Sequence, residues 1–194
     1  MKFIFWIVLI AFALTFIMAG ILNGGQLYEP EYTLIDKERK IEIRQYSDII
    51  LASTEVGSSY REATYSGFRV LANYIFGNNK SNTEIPMTAP VLTNLPGNDY
   101  IDISFVMSKD YTMESLPKPN TDKIRFHTLN FGKAAVIKFG MWAKPHRIKK
   151  MKSKLEEYLN KNDIEVVSDY FVAQYNSPWM LPPFRRNEII VSIK

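Results

Sequence analysis

The sequence contains no cysteine and only two histidines among its 194 residues. Without cysteine there is no disulfide, no thiolate nucleophile and no thiolate ligand for a metal. The histidines, His127 and His146, have no neighbour at metal-ligand spacing, and no nucleophile elbow, phosphate loop or carboxylate pair occurs. The residues therefore indicate no acid, base or nucleophile. An enzymatic function would require a site assembled from distant positions, and a non-enzymatic function is the better interpretation.

A strong excess of one charge is also lacking, because 24 Lys and Arg face 20 Asp and Glu for a net charge of +4. A charge this small gives no reason to expect a nucleic-acid partner. Aromatic side chains, in contrast, are plentiful, with 12 Phe, 11 Tyr and 3 Trp. Together with 46% hydrophobic residues, they suffice for one globular domain with a large core and for a flat apolar ligand surface.

Residues 3–22 form an uncharged apolar run that follows Lys2. About 20 such residues can cross a bilayer as a helix, whereas the apolar part of a cleaved signal is usually about 7 to 15 residues long. We therefore predict a signal-anchor helix with a short tether in residues 1–25, with a cleaved signal peptide as the alternative, and one domain over residues 26–194. Since the first charges after the run are acidic, we expect a membrane-anchored domain on the non-cytoplasmic side, or a secreted or periplasmic one after cleavage.

Past the tether, the same order of elements occurs twice. Hydrophobic periodicity predicts strand, strand, helix, strand and strand in each copy. The first copy comprises residues 41–46, 49–56, 59–76, 84–92 and 100–107, and the second comprises residues 124–129, 134–139, 144–161, 165–175 and 187–193. Two such halves predict an α+β fold in which one sheet, closed or nearly closed by pseudo-two-fold symmetry, carries one helix per half.

Prolines interrupt the third predicted strand of each half. They are Pro86 and Pro90 in the first half, and Pro178, Pro182 and Pro183 in the second. Because proline donates no backbone hydrogen bond, we expect both halves to leave regular pairing at equivalent places. Bending of the sheet is one explanation, and support for a ligand site is the other.

The first predicted helix is apolar around more of its circumference than contact with one sheet requires. One face contains Tyr60, Ala63, Gly67, Leu71 and Tyr74. A second stripe contains Tyr65, Phe68, Ala72, Ile75 and Phe76, with Arg61 and Arg69 on or beside it. Apolar surface next to two guanidinium groups suits a flat apolar ligand with carboxylates. The alternative is that loops of the second half cover this stripe.

The second predicted helix is strongly basic. Residues 144–161 contain seven Lys or Arg and two Glu, while Ile148, Met151, Leu155 and Tyr158 form one inward stripe. Such a charge run is typical of a solvated face, and the functional alternative is contact with anionic lipid headgroups or acidic partners.

Three stretches carry a family resemblance. Residues 68–79 (FRVLANYIFGNN), 85–91 (IPMTAPV) and 175–189 (YNSPWMLPPFRRNEI) resemble the SOUL/haem-binding protein family, and the likeness extends over nearly all of residues 28–194. The resemblance implies a distorted antiparallel β-barrel of two like halves with two flanking helices. It also implies binding of haem or another tetrapyrrole in a shallow groove formed by the first helix and the loop before the last strand.

The resemblance carries specific residues to that groove. They are Phe68, Leu71, Ala72 and Ile75 from the helix, and Trp179, Met180 and Phe184 from the late loop. Arg61 or Arg69, with Arg185 or Arg186, would bind the propionates, because guanidinium forks suit carboxylates. The alternative for residues 185–188 is a structural Arg–Glu pair that fixes the loop. Met87 would be a soft ligand contact or a core filler.

The iron ligand stays open. Some family members have been proposed to use a histidine near the groove, yet none precedes His127 here. Iron would be bound without imidazole, or through Met180, a tyrosine or His146. Three functions follow: a membrane-tethered tetrapyrrole-binding module, which we favour; an interaction protein that binds a lipid or a protein in the same groove; and a tetrapyrrole-modifying enzyme.

Overall fold

The computed structural model describes residues 27–97 and 99–194. The predicted signal-anchor lies outside these residues, as does the predicted N-terminal hydrophobic helix. Within the two described ranges, no helix has the length and apolar character needed to cross a membrane.

The described residues form nine strands and two α-helices. The strands are β1 (Tyr32–Glu38), β2 (Ile41–Tyr46), β3 (Ile49–Val56), β4 (Val91–Asn94), β5 (Ile101–Val106), β6 (Arg125–Leu129), β7 (Lys133–Phe139), β8 (Phe171–Gln174) and β9 (Asn187–Ser192). The helices are α1 (Tyr60–Ile75) and α2 (Pro145–Lys161), and a short 3₁₀ helix covers Pro182–Phe184. Strand β1 is missing from the sequence prediction because it is exposed along its whole length and lacks a buried apolar face.

The strands form one antiparallel sheet in the order β1-β2-β7-β9-β8-β4-β5-β3-β6. In the two-copy repeat, β2, β3, β4 and β5 of the first half correspond to β6, β7, β8 and β9 of the second half. When each strand is replaced by its counterpart, the strand order without β1 is the same order read from the other edge of the sheet. The predicted two-copy repeat is therefore confirmed, with its pseudo-two-fold axis between β4 and β8. The sheet is not closed, because its edge strands β1 and β6 do not pair with each other in the part of the chain described. Strand β1 pairs with the edge of β2 to which β6 would have to pair to close the sheet.

The prolines do not occupy equivalent places, which corrects the prediction from sequence. In the first half, Pro86 and Pro90 precede β4, which begins at Val91. In the second half, the prolines follow β8 and lie in the connection to β9. Since proline cannot donate to a strand ladder, regular pairing begins only after Pro90 in one half and ends before Pro178 in the other.

Each helix packs on its own pair of strands, α1 on β3 and β5, and α2 on β7 and β9. The predicted inner face of α1 is confirmed, since Ala63, Gly67, Leu71 and Tyr74 are buried. A Cβ atom at Gly67 would lie 2.6 Å from Cδ1 of Ile103. The missing side chain thus allows α1 to approach β5 closely.

The sheet face opposite the helices encloses a charged network centred on Arg44 of β2. The fully buried guanidinium donates to both carboxylate oxygens of Glu188 in β9, with Nη1–Oε2 and Nη2–Oε1 distances of 2.9 and 3.0 Å. Its Nε and Nη2 atoms also donate to Oε2 of Glu42, at 2.9 and 2.7 Å. Because β7 lies between β2 and β9, the network connects three strands through side chains as well as through the backbone.

The surroundings keep both carboxylates ionised. Burial alone would raise the pKa of Glu42, but hydrogen bonds from Lys138 and Arg44 and their positive charges lower it to about 2. Burial likewise opposes ionisation of Glu188, and Arg44 and Arg186 nevertheless lower its pKa. The buried cation and its two buried anions therefore depend on one another.

We expect Arg44→Met to destabilise the fold severely, because it removes the buried cation that Glu42 and Glu188 share. The free energy of unfolding, measured by urea denaturation of residues 26–194 at pH 7, should fall by about 3 to 5 kcal/mol. Arg69→Met, at an exposed position of α1, is the matched control and should change it by less than about 0.5 kcal/mol. Equal effects of the two substitutions would show that Glu42 and Glu188 do not depend on Arg44.

Candidate functional site

The connection between β8 and β9, residues 175–186, is here called the late loop. Arg185 braces it from inside, since Nη1 donates to the carbonyl oxygens of Ser177 and Met180 at 3.1 and 3.2 Å. The guanidinium carbon also lies 4.2 Å from the centre of the Trp142 ring. The Met141 amide donates to the Pro182 carbonyl at 3.0 Å. The late loop is thus fastened to the β7–α2 connection.

Although it is braced, the late loop exposes large apolar side chains. Trp179, Phe184 and Leu181 are 91%, 72% and 62% exposed, respectively. Met180 is half-buried. Exposed apolar groups on a fixed backbone are typical of a binding surface, because no core contact explains them.

A row of paired residues crosses the helix-bearing face of the sheet. Its members, taken from β6 to β7, are Phe126, Ala52, Phe105, Val91, Gln174, Asn187 and Phe139. Phe68 of α1 packs on this row, with its ring centre 5.2 Å from that of Phe105. Val91 and Gln174, in the middle of the row, are only half-buried. They lie between the strands that carry α1 and those that carry α2.

Regular strand spacing would leave a gap between the two helices above these two residues. Helix α1 packs over β3 and β5, and α2 packs over β7 and β9. The midpoints of these two strand pairs are four strand spacings apart, a distance of about 19 Å. Subtracting a helix diameter of about 10 to 12 Å leaves a gap of about 8 Å between α1 and α2. We call this gap the inter-helix groove; its floor is Val91 and Gln174, and its walls are α1 and α2.

Tyr60 closes one end of the inter-helix groove. Its side chain packs against the cores beneath both helices, and its hydroxyl oxygen lies 2.9 Å from Oγ1 of Thr93. Burial raises the pKa of Tyr60 to about 12 although the bond with Thr93 opposes this shift. The phenol is therefore neutral at physiological pH. The late loop leaves the sheet directly after Gln174, at the other end of the floor.

Helical periodicity separates the two predicted arginines of α1. Arg61 and Phe68 are seven residues apart, which is about two turns, so they lie on the same side of the helix. Arg69 lies about 100° further round, away from the sheet. Both arginines are exposed. Arg61, which forms no ion pair with any described residue, is thus the better placed carboxylate partner.

The other predicted site residues divide into two groups. Trp179, Met180 and Phe184 lie on the late loop, at the open end of the groove. Leu71 and Ile75 are buried in the core beneath α1, and Ala72 is also buried. They support the groove wall and are not open to a ligand from outside.

Arginines 185 and 186 have structural partners. Arg185 braces the late loop, as described above. Arg186 Nη1 donates to Glu29 Oε2 at 2.8 Å and its Nε atom to Glu188 Oε1 at 3.1 Å. These contacts are in keeping with the structural alternative for residues 185–188, although Nε of Arg185 is buried without a hydrogen-bond partner. Met87 packs half-buried against the core beneath α1, in keeping with a core filler.

Periodicity alone does not identify the groove floor or its closed end. Val91 and Gln174 come together only through the pairing of β4 with β8 across the two halves. The pseudo-two-fold repeat is the one sequence signal that could have located them, since it places these equivalent strands beside the symmetry axis.

Neither histidine lies on the groove floor. His127 pairs with Leu51, whose side chain belongs to the core on the face opposite the helices. The Nδ1 atom of His127 is buried without a hydrogen-bond partner. Burial, with a smaller effect of Arg125, lowers the pKa of His127. His146 is exposed in the first turn of α2. The described residues contain no cluster of three or more His, Asp or Glu suited to a metal ion.

Two surface cavities lie elsewhere. One, of about 490 Å³, is bounded by β3, α1 and the segment before β6, and includes Val70 and Arg125. The other, of about 330 Å³, includes Tyr28 and Tyr111. Neither contains any of the predicted site residues.

The family model for the SOUL heme-binding protein matches residues 27–192. The chain belongs to the SOUL family. The match covers all nine strands and both helices, so the family assignment and the pseudo-symmetric fold concern the same part of the chain. No curated protein matches the sequence.

Several solved structures share the fold of this SOUL domain at very low identity. A hydrolase from Listeria innocua is 8% identical with a TM-score of 0.58, over 82% of this chain and 94% of that one. The C-terminal domain of EcmrR is 9% identical with a TM-score of 0.58, over 84% and 98% of the two chains. An uncharacterized conserved protein from Listeria innocua is 9% identical with a TM-score of 0.58, over 81% and 93%. These likenesses show the fold alone.

We expect Arg185→Met to loosen the late loop without unfolding the domain. Loss of two charge-assisted hydrogen bonds should lower the local opening free energy by about 2 kcal/mol, which is roughly a 30-fold faster amide exchange. Hydrogen exchange of residues 177–181, followed by mass spectrometry, measures this change, and Arg69→Met is again the control. Unchanged exchange in both variants would contradict the bracing role of Arg185.

Proposed function

We propose that the protein is a tetrapyrrole-binding module, tethered to a membrane, whose inter-helix groove takes haem or a related porphyrin. Membership of the SOUL heme-binding family over residues 27–192 is the observation that carries this proposal. The geometry supports it, because a gap of about 8 Å with an apolar wall admits a flat macrocycle edge-on.

Apolar contact would supply most of the affinity. Phe68 offers half-buried aromatic surface next to Phe105, which pairs with the floor residue Val91. Trp179 and Phe184, which protrude at the open end, would cover the exposed edge of the macrocycle. Each aromatic contact of this kind contributes about 0.5 to 1.5 kcal/mol beyond its buried area.

Arg61 would bind a propionate. Its guanidinium is exposed, lies on the same side of α1 as Phe68 and has no carboxylate partner among the described residues. A free guanidinium at the edge of an apolar groove suits a carboxylate that remains near solvent. In this proposal Arg69, on the outer side of α1, has no such role.

The groove would discriminate poorly between iron-containing and metal-free tetrapyrroles. Neither His127 nor His146 lies on its floor. The side chains described at the groove suit the apolar ring and the propionates rather than the metal. We expect protoporphyrin to bind comparably to haemin. Coordination by Met180 or by a tyrosine would add affinity for haemin alone.

The membrane tether in this proposal is the apolar run of residues 3–22. It would hold the domain on the non-cytoplasmic side, through the short connection before Leu27. Its length and the position of Lys2 support this assignment.

Haemin and protoporphyrin titrations of residues 26–194, followed by absorbance and Trp fluorescence, test the binding site. We expect saturable binding of about micromolar strength or tighter. Phe68→Ala, Trp179→Ala and Arg61→Met should each weaken it by about 5- to 10-fold, or about 1 to 1.4 kcal/mol. Arg69→Met on the outer side of α1 and Tyr100→Ala in the β4–β5 connection change exposed side chains and serve as matched controls.

The outcomes separate the three functions. Saturable binding that the groove variants weaken supports the tetrapyrrole module. Weak, non-saturable uptake that no variant alters contradicts it and favours a lipid or protein occupant. Loss of pigment absorbance with time after binding would instead indicate an enzyme that modifies tetrapyrroles.

A further inference from the structure

Two neighbouring connections present one exposed apolar surface, here called the apolar tip. It consists of Met141, Trp142, Trp179, Leu181 and Phe184, which are between 41% and 91% exposed. The tip lies at the start of α2, since the late loop is fastened to the β7–α2 connection. Exposed tryptophan beside other large apolar side chains is typical of residues that enter the interfacial region of a bilayer.

The apolar tip has a fixed shape. Arg185 holds the backbone of residues 177–180 and stacks on Trp142 at 4.2 Å. The Phe184 amide donates to the Leu181 carbonyl at 3.0 Å, within the short 3₁₀ segment. A braced loop keeps its apolar side chains exposed at little further entropic cost on binding, which favours a surface partner over simple disorder.

Basic residues follow the apolar tip immediately. Lys144, His146, Lys149 and Lys150 are all exposed, and the first turn of α2 contains no acidic residue. The acids of α2, Glu156 and Glu157, come only in its second half. Cations at a helix N-terminus oppose the helix dipole. This arrangement costs stability in isolation, and an anionic partner at the start of α2 would offset it.

The beginning of the domain lies near the root of the late loop. Glu29 pairs with Arg186 at 2.8 Å, and the Ala89 amide donates to the Tyr28 carbonyl at 2.9 Å. The four residues 23–26 between the apolar run and Leu27 span at most about 14 Å. A bilayer that holds residues 3–22 would therefore face this side of the domain.

From these observations we propose that the apolar tip inserts into the headgroup region of an anionic bilayer, with Lys149 and Lys150 contacting lipid phosphates. The occupant is the lipid surface itself. Apolar side chains that enter the interface and cations that meet anionic headgroups add to one another in such contacts. The proposal rests on the described tip and on residues 3–22, and it does not require a tetrapyrrole.

The test uses the full chain, reconstituted into vesicles of phosphatidylglycerol and phosphatidylcholine without any tetrapyrrole. The chain has three tryptophans, so Trp6→Phe combined with Trp142→Phe leaves Trp179 as the single emitter. We expect phosphatidylcholine brominated on its acyl chains to quench Trp179 roughly two-fold or more, with a blue shift of its emission. Lys149→Glu combined with Lys150→Glu should reduce this quenching.

Two controls make the result decisive. A chain whose only tryptophan is introduced by Tyr100→Trp reports on the β4–β5 connection, at the opposite end of β4, and should not be quenched. Lys154→Glu combined with Lys161→Glu removes the same charge farther along α2 and should leave Trp179 quenched. If brominated lipid does not affect Trp179, or quenches it no more than the residue from Tyr100→Trp, the proposal is wrong. Tetrapyrrole affinity, measured without lipid, can succeed or fail independently.

Discussion

The buried ion pair between Arg44 and Glu188 constrains the rest of the structure. A charge enclosed in a protein core is tolerated only with a partner of opposite sign and satisfied hydrogen bonds. Here the partners come from β2 in the first half and β9 in the second, with β7 of the second half between them. Any arrangement that shifted one half relative to the other would leave these charges unpaired. We infer that the network selects the register of the two halves rather than adding much net stability.

Fixing the halves in this way also fixes the groove. The pseudo-two-fold axis passes between β4 and β8, so the two helices lie at equal distances on either side of it. The half-buried pair Val91 and Gln174 lies between the two helices, at the centre of the sheet. The charged network extends from Glu188 through Tyr175, whose hydroxyl donates to Glu188 Oε2 at 2.8 Å, to the first residue of the late loop. The same interaction thus positions both the floor and the loop at its open end.

Much of the fold could be predicted from sequence, because both helices and six strands have clear periodicity. The two strands beside the symmetry axis were predicted too long and too early: β4 is Val91–Asn94 rather than 84–92, and β8 is Phe171–Gln174 rather than 165–175. Strand β1 could not be predicted, since exposed strands lack the buried face on which pattern recognition depends. Of the two predicted alternatives, a closed or a nearly closed sheet, full closure is not found, because β1 occupies an edge that is not visible in any local pattern. The two proline clusters looked equivalent only because each lies near a short strand. One precedes its strand and the other follows it.

The candidate site could be predicted only in part. The late loop and Phe68 follow from the family resemblance. Leu71 and Ile75 were predicted to line the groove but belong to the core, because the two apolar stripes of α1 both reach its buried side. Arg185 and Arg186 illustrate a general difficulty: a guanidinium that braces a loop and one that binds a ligand look identical in sequence. Their partners, backbone carbonyls and Glu29 respectively, depend on tertiary contacts that no single-chain pattern encodes.

The central claim, that the ligand lies between the two helices, is tested most directly by amide chemical shifts of ¹⁵N-labelled residues 26–194 during titration with metal-free protoporphyrin. The account predicts saturable shifts at Phe68, Val91 and Gln174 and on the late loop, with little change at residues lining the two surface cavities, such as Val70 and Tyr111. Shifts confined to either cavity, with the groove floor unchanged, would contradict it.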